Sequence, residues 1–180
     1  ENHYEATRLK VLFVGSMTQR KGLADLFAAM KRLNPERYEL HVLGTPLLPL
    51  EFYQAKFPGM IHHHTRSHDE VLELMASCHV LALPSIVEGR ALVQQEALAC
   101  GLPIIVTANA GASDLVEDGK AGILVPIRSP EEIAGALDSL GNDRERLQSM
   151  SHAGLDVARE KTWAHYESLI VEAVSGVLES

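Results

Sequence analysis

The stretch Leu9-Lys10-Val11-Leu12-Phe13-Val14-Gly15-Ser16-Met17-Thr18-Gln19-Arg20-Lys21-Gly22-Leu23 carries the pattern that decides the fold. A short apolar run is followed by a glycine-containing loop, and an apolar-periodic helix begins at Leu23. Short apolar runs and helical segments go on alternating along the chain. This alternation is typical of βαβ units on a parallel sheet that is covered on both faces. The sequence therefore predicts an α/β fold with an open, doubly wound parallel sheet.

About six strands and the helices between them follow from this alternation. The predicted strands are Lys10–Val14, Tyr38–Leu43, Met60–His63, Val80–Leu83, Pro103–Val106 and Gly122–Val125, and helices are predicted to begin near Gly22, Leu50, His68, Ala91 and Ala112. Ser129 as N-cap, Pro130 at the first helical position and two following glutamates predict a helix to about Leu140. The further predicted helices are Asp143–Arg159 and Trp163–Leu178.

Composition restricts the class of protein. The 180 residues are 46% apolar, which suits one α/β domain: we assign residues 9–180 to it and interpret residues 1–8 as a linker left at a domain cut. A net charge of −8 argues against a nucleic-acid partner, which would need clustered cations. Cys78 and Cys100 stand in apolar stretches, as buried thiols of a reducing compartment do. We expect a cytoplasmic protein, whose contact with the inner membrane face, if any, is made outside this segment.

The loop after the first strand is a candidate anion site. Ligands of open parallel sheets bind at the carboxyl ends of the strands. Gly15, the adjacent cations Arg20 and Lys21, and a helix N-terminus together favour an anion there. Taken alone, the loop is equally consistent with a structural role, in which Arg20 and Lys21 are solvated charges and Gly15 and Gly22 serve the turns. It has neither the Walker nor the dinucleotide-binding spacing, so neither an ATPase nor a dehydrogenase is favoured.

The segment after the fourth strand is a second candidate. Glu88 precedes a predicted helix, and Glu96 falls about two turns inside it. A carboxylate can accept hydrogen bonds from two neighbouring ribose hydroxyls. The amides of Ala91, Leu92 and Val93 would face an anion above the helix, while the side chains of Leu92 and Val93 pack inward. Taken alone, an acidic first turn and a solvent-facing Glu96 explain the segment better.

These motifs, taken in chain order, resemble the C-terminal domain of retaining glycosyltransferases of family 4. The resemblance rests on a Gly-x-x-x-x-x-Lys-Gly loop, Pro-Ser-x-x-Glu-Gly, two glutamates separated by seven residues, Glu-Ala-Leu-Ala-Cys-Gly-Leu-Pro, and Val-Glu-Asp-Gly-Lys-Ala-Gly-Ile-Leu-Val-Pro, and it covers Leu9 to about Ser180. It implies one Rossmann-like half of a GT-B fold. The donor nucleotide would bind to this half and the acceptor mainly to an N-terminal domain that is absent here. It implies no metal and no cofactor.

The resemblance also assigns roles to individual residues. It implies that Lys21 and Glu88 are the catalytic residues. Lys21 would hold the donor diphosphate, in the loop that contains Gly15 and Ser16, and Glu88 would sit by the transferred sugar. It further implies that Glu96 binds the ribose hydroxyls and that the backbone of residues 91–93 completes the phosphate site. Fixed cations and amides aimed at the leaving diphosphate stabilise its growing negative charge.

Three positions depart from the family pattern. Ser16 stands where many relatives carry an arginine, and we predict that Arg20 takes over part of that role. Arg90-Ala91 replaces the usual Phe-Gly, and Arg90 is a candidate further phosphate ligand. The loop 109–112 is less glycine-rich than in relatives, and Asp114 replaces a glutamate, so a different donor sugar preference is expected.

The resemblance implies an enzyme that moves a sugar from a UDP- or GDP-type nucleotide sugar to a glycan, lipid-linked or small-molecule acceptor. As this isolated domain, the chain is expected to be inactive. The alternatives are a noncatalytic nucleotide-sugar-binding or assembly module and a sugar-nucleotide epimerase.

Two other features favour structural roles. The run His62-His63-His64 with His68 is interpreted as a polar strand end, since successive strand residues point to opposite faces and share an ion poorly. A helical apolar stripe near the C-terminus is interpreted as core, part of it exposed in the isolated chain; its members are Trp163, Tyr166, Leu169, Ile170, Ala173, Val174 and Val177.

Overall fold

The computed structural model describes residues 6–64, 67–116, 119–162, 167–168, 170–171 and 174–175. Six strands form one parallel sheet: β1 (Leu9–Val14), β2 (Tyr38–Leu43), β3 (Met60–His63), β4 (Val80–Leu83), β5 (Ile104–Thr107) and β6 (Gly122–Val125). The helices are α1 (Leu23–Met30), α2 (Leu50–Lys56), α3 (His68–Ser77), α4 (Leu92–Ala99), α5 (Pro130–Asn142) and α6 (Arg144–Glu160). The predicted α/β class and the six strands are confirmed.

The strand order is β3-β2-β1-β4-β5-β6, the doubly wound Rossmann-like order. Every residue of β4 and β5 is buried, as expected of central parallel strands covered by helices on both faces. The chain runs outward from β1 to β3 and then returns to place β4 beside β1. The direction of winding changes there, so the loops after β1 and β4 lie together at the carboxyl edge of the sheet.

The predicted helix near Ala112 is wrong. Residues 108–110 form a 3-10 turn that ends at Gly111, whose φ of 66° lies in the left-handed region. The Ala112 carbonyl then accepts hydrogen bonds from the N–H groups of Leu115 at 2.8 Å and Val116 at 3.2 Å, which close one turn. Gly119 also adopts a left-handed φ, 68°, and its N–H donates to the Val116 carbonyl at 3.1 Å, so the segment between the two glycines is too short for a full helix.

Two of the three predicted C-terminal helices are found, α5 and α6, and most of the predicted helix Trp163–Leu178 lies outside the described residues. Ser129 takes the N-cap position of α5, but its hydroxyl donates to the Ile127 carbonyl at 3.1 Å and does not cap the helix. Asp143 caps α6 by accepting from the Arg146 N–H at 2.8 Å. Of the predicted C-terminal stripe, Ile170 and Val174 are exposed, and its other members lie outside the described residues.

In the described part of the chain, no helix is long and apolar enough to cross a membrane.

Candidate functional site

The loops after β1 and β4 touch each other directly. Gly22 adopts φ 75°, and a Cβ added there would lie 2.0 Å from the Pro84 carbonyl oxygen, so this approach requires glycine. The Ile86 N–H donates to the Arg20 carbonyl at 2.8 Å. The two loops therefore form one rim at the switch point of the sheet.

Three of the predicted site residues meet at this rim as an ion cluster. The Lys21 ammonium pairs with one oxygen of the Glu88 carboxylate, and Arg20 Nη1 lies 3.5 Å from the other oxygen. The side chains of Lys21 and Glu88 are only 12% and 14% exposed, whereas that of Arg20 is 51% exposed. Sequence reasoning assigned each residue its own role and did not foresee the pairing, which depends on contact between distant loops.

The side chain of Lys21 passes close to Gly15, at the start of its own loop. Gly15 adopts φ 142°, and a Cβ added there would contact the Lys21 side chain at 3.5 Å. A Cβ on Gly44 would lie 1.8 Å from the Gly15 carbonyl oxygen, so the loop after β2 packs closely behind Gly15. Ser16 is exposed on the open side of this loop.

The N-terminus of α4 opens toward the same rim. Ala91 is the N-cap residue in extended geometry, and no side chain caps the helix. The Gln94 N–H donates to the Ala91 carbonyl at 3.0 Å, whereas the N–H groups of Leu92 and Val93, at the first two helical positions, have no acceptor inside the helix. The helix dipole adds partial positive charge there. The amides of Leu92 and Val93 are available to an anion, and the phosphate role predicted for them stays a prediction.

The predicted face of α4 is wrong at Leu92, which is 51% exposed. Val93 is partly buried and packs against the core, as predicted. Gln94 is fully buried and donates to the Ala110 carbonyl at 3.0 Å. The helix begins at Leu92, so an angle counted helically from Glu88 assigns the wrong face. A buried glutamine gives no apolar signal, which is why sequence reasoning missed it.

Glu96 lies one turn inside α4, on the same side as Leu92 and Val93. At about 100° and 1.5 Å per residue, Glu96 stands about 40° and 6 Å from Leu92. It is partly buried. Glu96 therefore lies on the Leu92 side of α4, one turn beyond the N-terminus of the helix.

The loop after β5 holds the Glu88 segment from the other side. The Glu88 N–H donates to the Asn109 carbonyl at 2.9 Å, and the Asn109 side-chain amide donates to the Ile86 carbonyl at 3.0 Å. A Cβ on Gly111 would lie 2.0 Å from the Gly89 carbonyl oxygen. The sequence marked this loop as a departure from the family pattern and gave no sign that it supports Glu88.

Arg90 binds Asp114 across the same pair of loops. Its Nη2 lies 3.1 Å from Oδ2 and its Nη1 lies 3.4 Å from Oδ1, which is a two-pronged contact. Both side chains remain about two-fifths exposed. The predicted phosphate role of Arg90 stays a prediction, and in this structure the guanidinium is directed to a carboxylate.

The histidines of β3 form hydrogen bonds with neighbouring elements. His41 Nε2 lies 2.7 Å from the Glu39 carboxylate, and His41 Nδ1 lies 2.9 Å from His63 Nε2. His62 Nε2 donates to the Gly44 carbonyl at 3.0 Å. These contacts match a polar strand end. Within the described ranges, no three His, Cys, Asp or Glu residues are grouped so that they could hold a metal ion.

The fold is shared with several solved glycosyltransferases, all under 25% identical. Anabaena Alr3699/HepE in complex with UDP superposes with a TM-score of 0.84 at 21% identity, over 95% of this chain and 50% of that one. The C-terminal domain of a group 1 glycosyl transferase, LpcC from Francisella tularensis, superposes with a TM-score of 0.75 at 21% identity, over 85% of both chains. The prediction of a Rossmann-like half of a GT-B fold is confirmed.

The sequence comparison identifies the family. Residues 2–156 match the family described as "Glycosyl transferases group 1", so the chain belongs to that family. It is 36% identical over 160 residues to a D-inositol 3-phosphate glycosyltransferase of Stackebrandtia nassauensis, covering 79% of this chain and 35% of the relative. It is 27% identical over 179 residues to the alpha-maltose-1-phosphate synthase of Mycolicibacterium smegmatis, covering 90% of this chain and 46% of the relative. The chain thus spans less than half the length of these relatives.

Proposed function

We propose that this chain is the donor-binding domain of a retaining glycosyltransferase that uses a UDP- or GDP-type sugar. The proposal rests on one observation: Lys21, Arg20 and Glu88 meet beside the uncapped N-terminus of α4, at the switch point of the sheet. Two cations and a helix N-terminus suit a diphosphate. A group 1 glycosyl transferase fold makes a nucleotide sugar the natural ligand.

The donor diphosphate would lie over the first turn of α4 and take Lys21 as its counterion. Ser16 leaves the rim without an arginine at that position, and Arg20 supplies a second cation from the same loop. Cations and amides fixed in place stabilise the charge that builds on the departing diphosphate. In this proposal the site works without a metal ion or cofactor.

Glu88 would change partner when the donor binds. In this structure its carboxylate neutralises Lys21 and lies near Arg20. A diphosphate that binds Lys21 and Arg20 would displace the Glu88 carboxylate from them. The carboxylate would then face the sugar attached to the β-phosphate. Glu96, one turn further along α4, would accept the ribose hydroxyls.

The acceptor would be bound by a separate N-terminal domain, so we expect no transfer by this 180-residue chain alone. The acceptor classes that remain are a glycan, a lipid-linked sugar and a small molecule. We place the reaction in the cytoplasm, where nucleotide sugars are available to a protein with reduced thiols.

Calorimetric titration of the chain with UDP, GDP and ADP tests this proposal. One nucleotide should bind, and both Lys21→Ala and Glu96→Ala should weaken it. Lys31→Ala and Glu73→Ala, at exposed positions of other elements, are the matched controls and should leave binding unchanged. Failure of all three nucleotides to bind, or equal effects of site and control variants, would contradict the proposal. Tight binding without transfer after fusion to an N-terminal domain would instead indicate a noncatalytic module.

A further inference from the structure

We propose that Arg90 is a positioning residue for the donor sugar. In this inference Arg90 orients the Asp114 carboxylate, and the pair determines which donor sugar the site accepts. The inference rests on the proposed function, because it requires a nucleotide sugar on α4. It differs from the prediction that Arg90 binds phosphate.

The pair stands where a sugar attached to the diphosphate would extend. Arg90 comes two residues before the first helical residue of α4, where the phosphates are proposed to bind. Asp114 follows Gly111 on the loop after β5. Gly111 contacts Gly89 so closely that a Cβ would not fit, which brings Asp114 to the side of the phosphate site. A sugar linked to the β-phosphate would therefore lie beside Arg90 and Asp114.

The chemistry of the pair suits sugar hydroxyls. A carboxylate accepts from two hydroxyls, and the remaining guanidinium N–H groups can donate to hydroxyl oxygens. Both side chains stay about two-fifths exposed while bound to each other, so each keeps polar atoms available to a ligand. The two-pronged contact fixes the plane of the carboxylate, and a lysine ammonium would not. A fixed plane discriminates between hydroxyls of different configuration.

The loops do not depend on this pair for their contact with each other. The Glu88 N–H bond to Asn109 and the approach of Gly111 to Gly89 already join them. An exposed ion pair adds little to stability. Loss of the Arg90 side chain should thus leave the loops in place and change only the orientation of Asp114.

The test separates sugar recognition from nucleotide recognition. The proteins compared are wild type, Arg90→Ala, Arg90→Lys and Asp114→Asn. Calorimetry gives the affinity of each for UDP and for UDP-glucose, UDP-galactose and UDP-N-acetylglucosamine. If GDP is the nucleotide that binds, the ligands are GDP, GDP-mannose and GDP-glucose instead. The ratio of the nucleotide-sugar affinity to the nucleotide affinity measures the sugar contribution. Arg159→Ala removes an exposed Arg–Asp pair on α6 and is the matched control.

We expect the Arg90→Ala and Asp114→Asn variants to keep the nucleotide affinity within about twofold and to lose about fivefold or more of the sugar contribution, as for two lost hydrogen bonds. Their preference among the sugars should flatten, and Arg90→Lys should not restore it. Equal loss for nucleotide and nucleotide sugar would overturn the inference and make Arg90 a phosphate ligand. An unchanged sugar contribution would overturn it as well, with the proposed function intact. No nucleotide binding at all would overturn both.

Discussion

Neutralising Glu88 should tighten the binding of a nucleoside diphosphate, although Glu88 is a proposed catalytic residue. In this structure the Glu88 carboxylate forms an ion pair with Lys21 and lies 3.5 Å from Arg20, so a diphosphate must displace the carboxylate from both cations. Glu88→Gln keeps the shape of the side chain and removes its charge. The diphosphate then meets two cations that Glu88 no longer neutralises.

The magnitude follows from the burial of the pair. Exposed ion pairs contribute about 0–1 kcal/mol, and breaking a fully buried pair costs about 3–5 kcal/mol. Lys21 and Glu88 are 12% and 14% exposed and so lie between these limits. Arg20 is half exposed, and its contribution is discounted for solvent screening. A net term of about 1–2 kcal/mol corresponds to a gain of about fivefold to thirtyfold in affinity.

The assay is calorimetry with the diphosphate that binds wild type, at low ionic strength, with Glu73→Gln on α3 as the control. The free nucleotide is used because Glu88 is also proposed to contact the sugar. After fusion to an N-terminal domain, Glu88→Gln should bind the nucleotide better and transfer sugar more slowly. Unchanged or weaker nucleotide binding by Glu88→Gln would refute the idea that Glu88 competes with the diphosphate for Lys21.

Three further outcomes concern the scaffold of the site. Gly22→Ala should lower the free energy of unfolding, measured in urea, by about 2 kcal/mol or more, because Gly22 has a left-handed φ and an added Cβ would clash with Pro84. As the control, Gly135→Ala in the open interior of α5 should raise the free energy of unfolding by about 0.5–1 kcal/mol. Similar changes for the two variants would be inconsistent with the contact between Gly22 and Pro84. Burial, followed by the hydrogen bond that Tyr38 donates to Asp138 at 2.6 Å, raises the pKa of Tyr38 from 10.0 to about 12. The stability that Tyr38 contributes is complete below pH 10 and is lost as the pH rises to 12, so Tyr38→Phe should flatten the alkaline fall in stability, and an unchanged slope would count against the bond. Burial raises the pKa of the Cys78 thiol to about 11, so at pH 8 Cys78 should react with a thiol reagent only after unfolding. Rapid labelling of Cys78 in the native chain, distinguished from labelling of the partly buried Cys100 by peptide mapping, would contradict that.

The sheet could be predicted from the sequence because its strands are short apolar runs that bury both faces. The runs 80–83 and 122–125 are found at the predicted residues. The helix predicted near Ala112 does not extend because Gly111 and Gly119, on either side of the segment, both adopt left-handed φ, and Gly111 does so in contact with Gly89, from another loop. Local propensity does not contain that contact.

The residues of the site were easier to predict than their partners. Motif spacing placed Lys21 and Glu88 at strand ends, and parallel strands bring their carboxyl ends to one edge. Their ion pair joins positions 67 residues apart and depends on side-chain geometry. The Arg90–Asp114 contact likewise spans two loops and has no local signal.

A crystal structure of the chain with the nucleoside diphosphate that binds most tightly tests the central claim most directly. We predict a phosphate oxygen at about 2.7–3.2 Å from Lys21 Nζ and from a first-turn amide of α4, the range of an N–H···O hydrogen bond. The Glu88 carboxylate should have left Lys21. A nucleotide bound elsewhere, with Lys21 still paired to Glu88, would contradict the account.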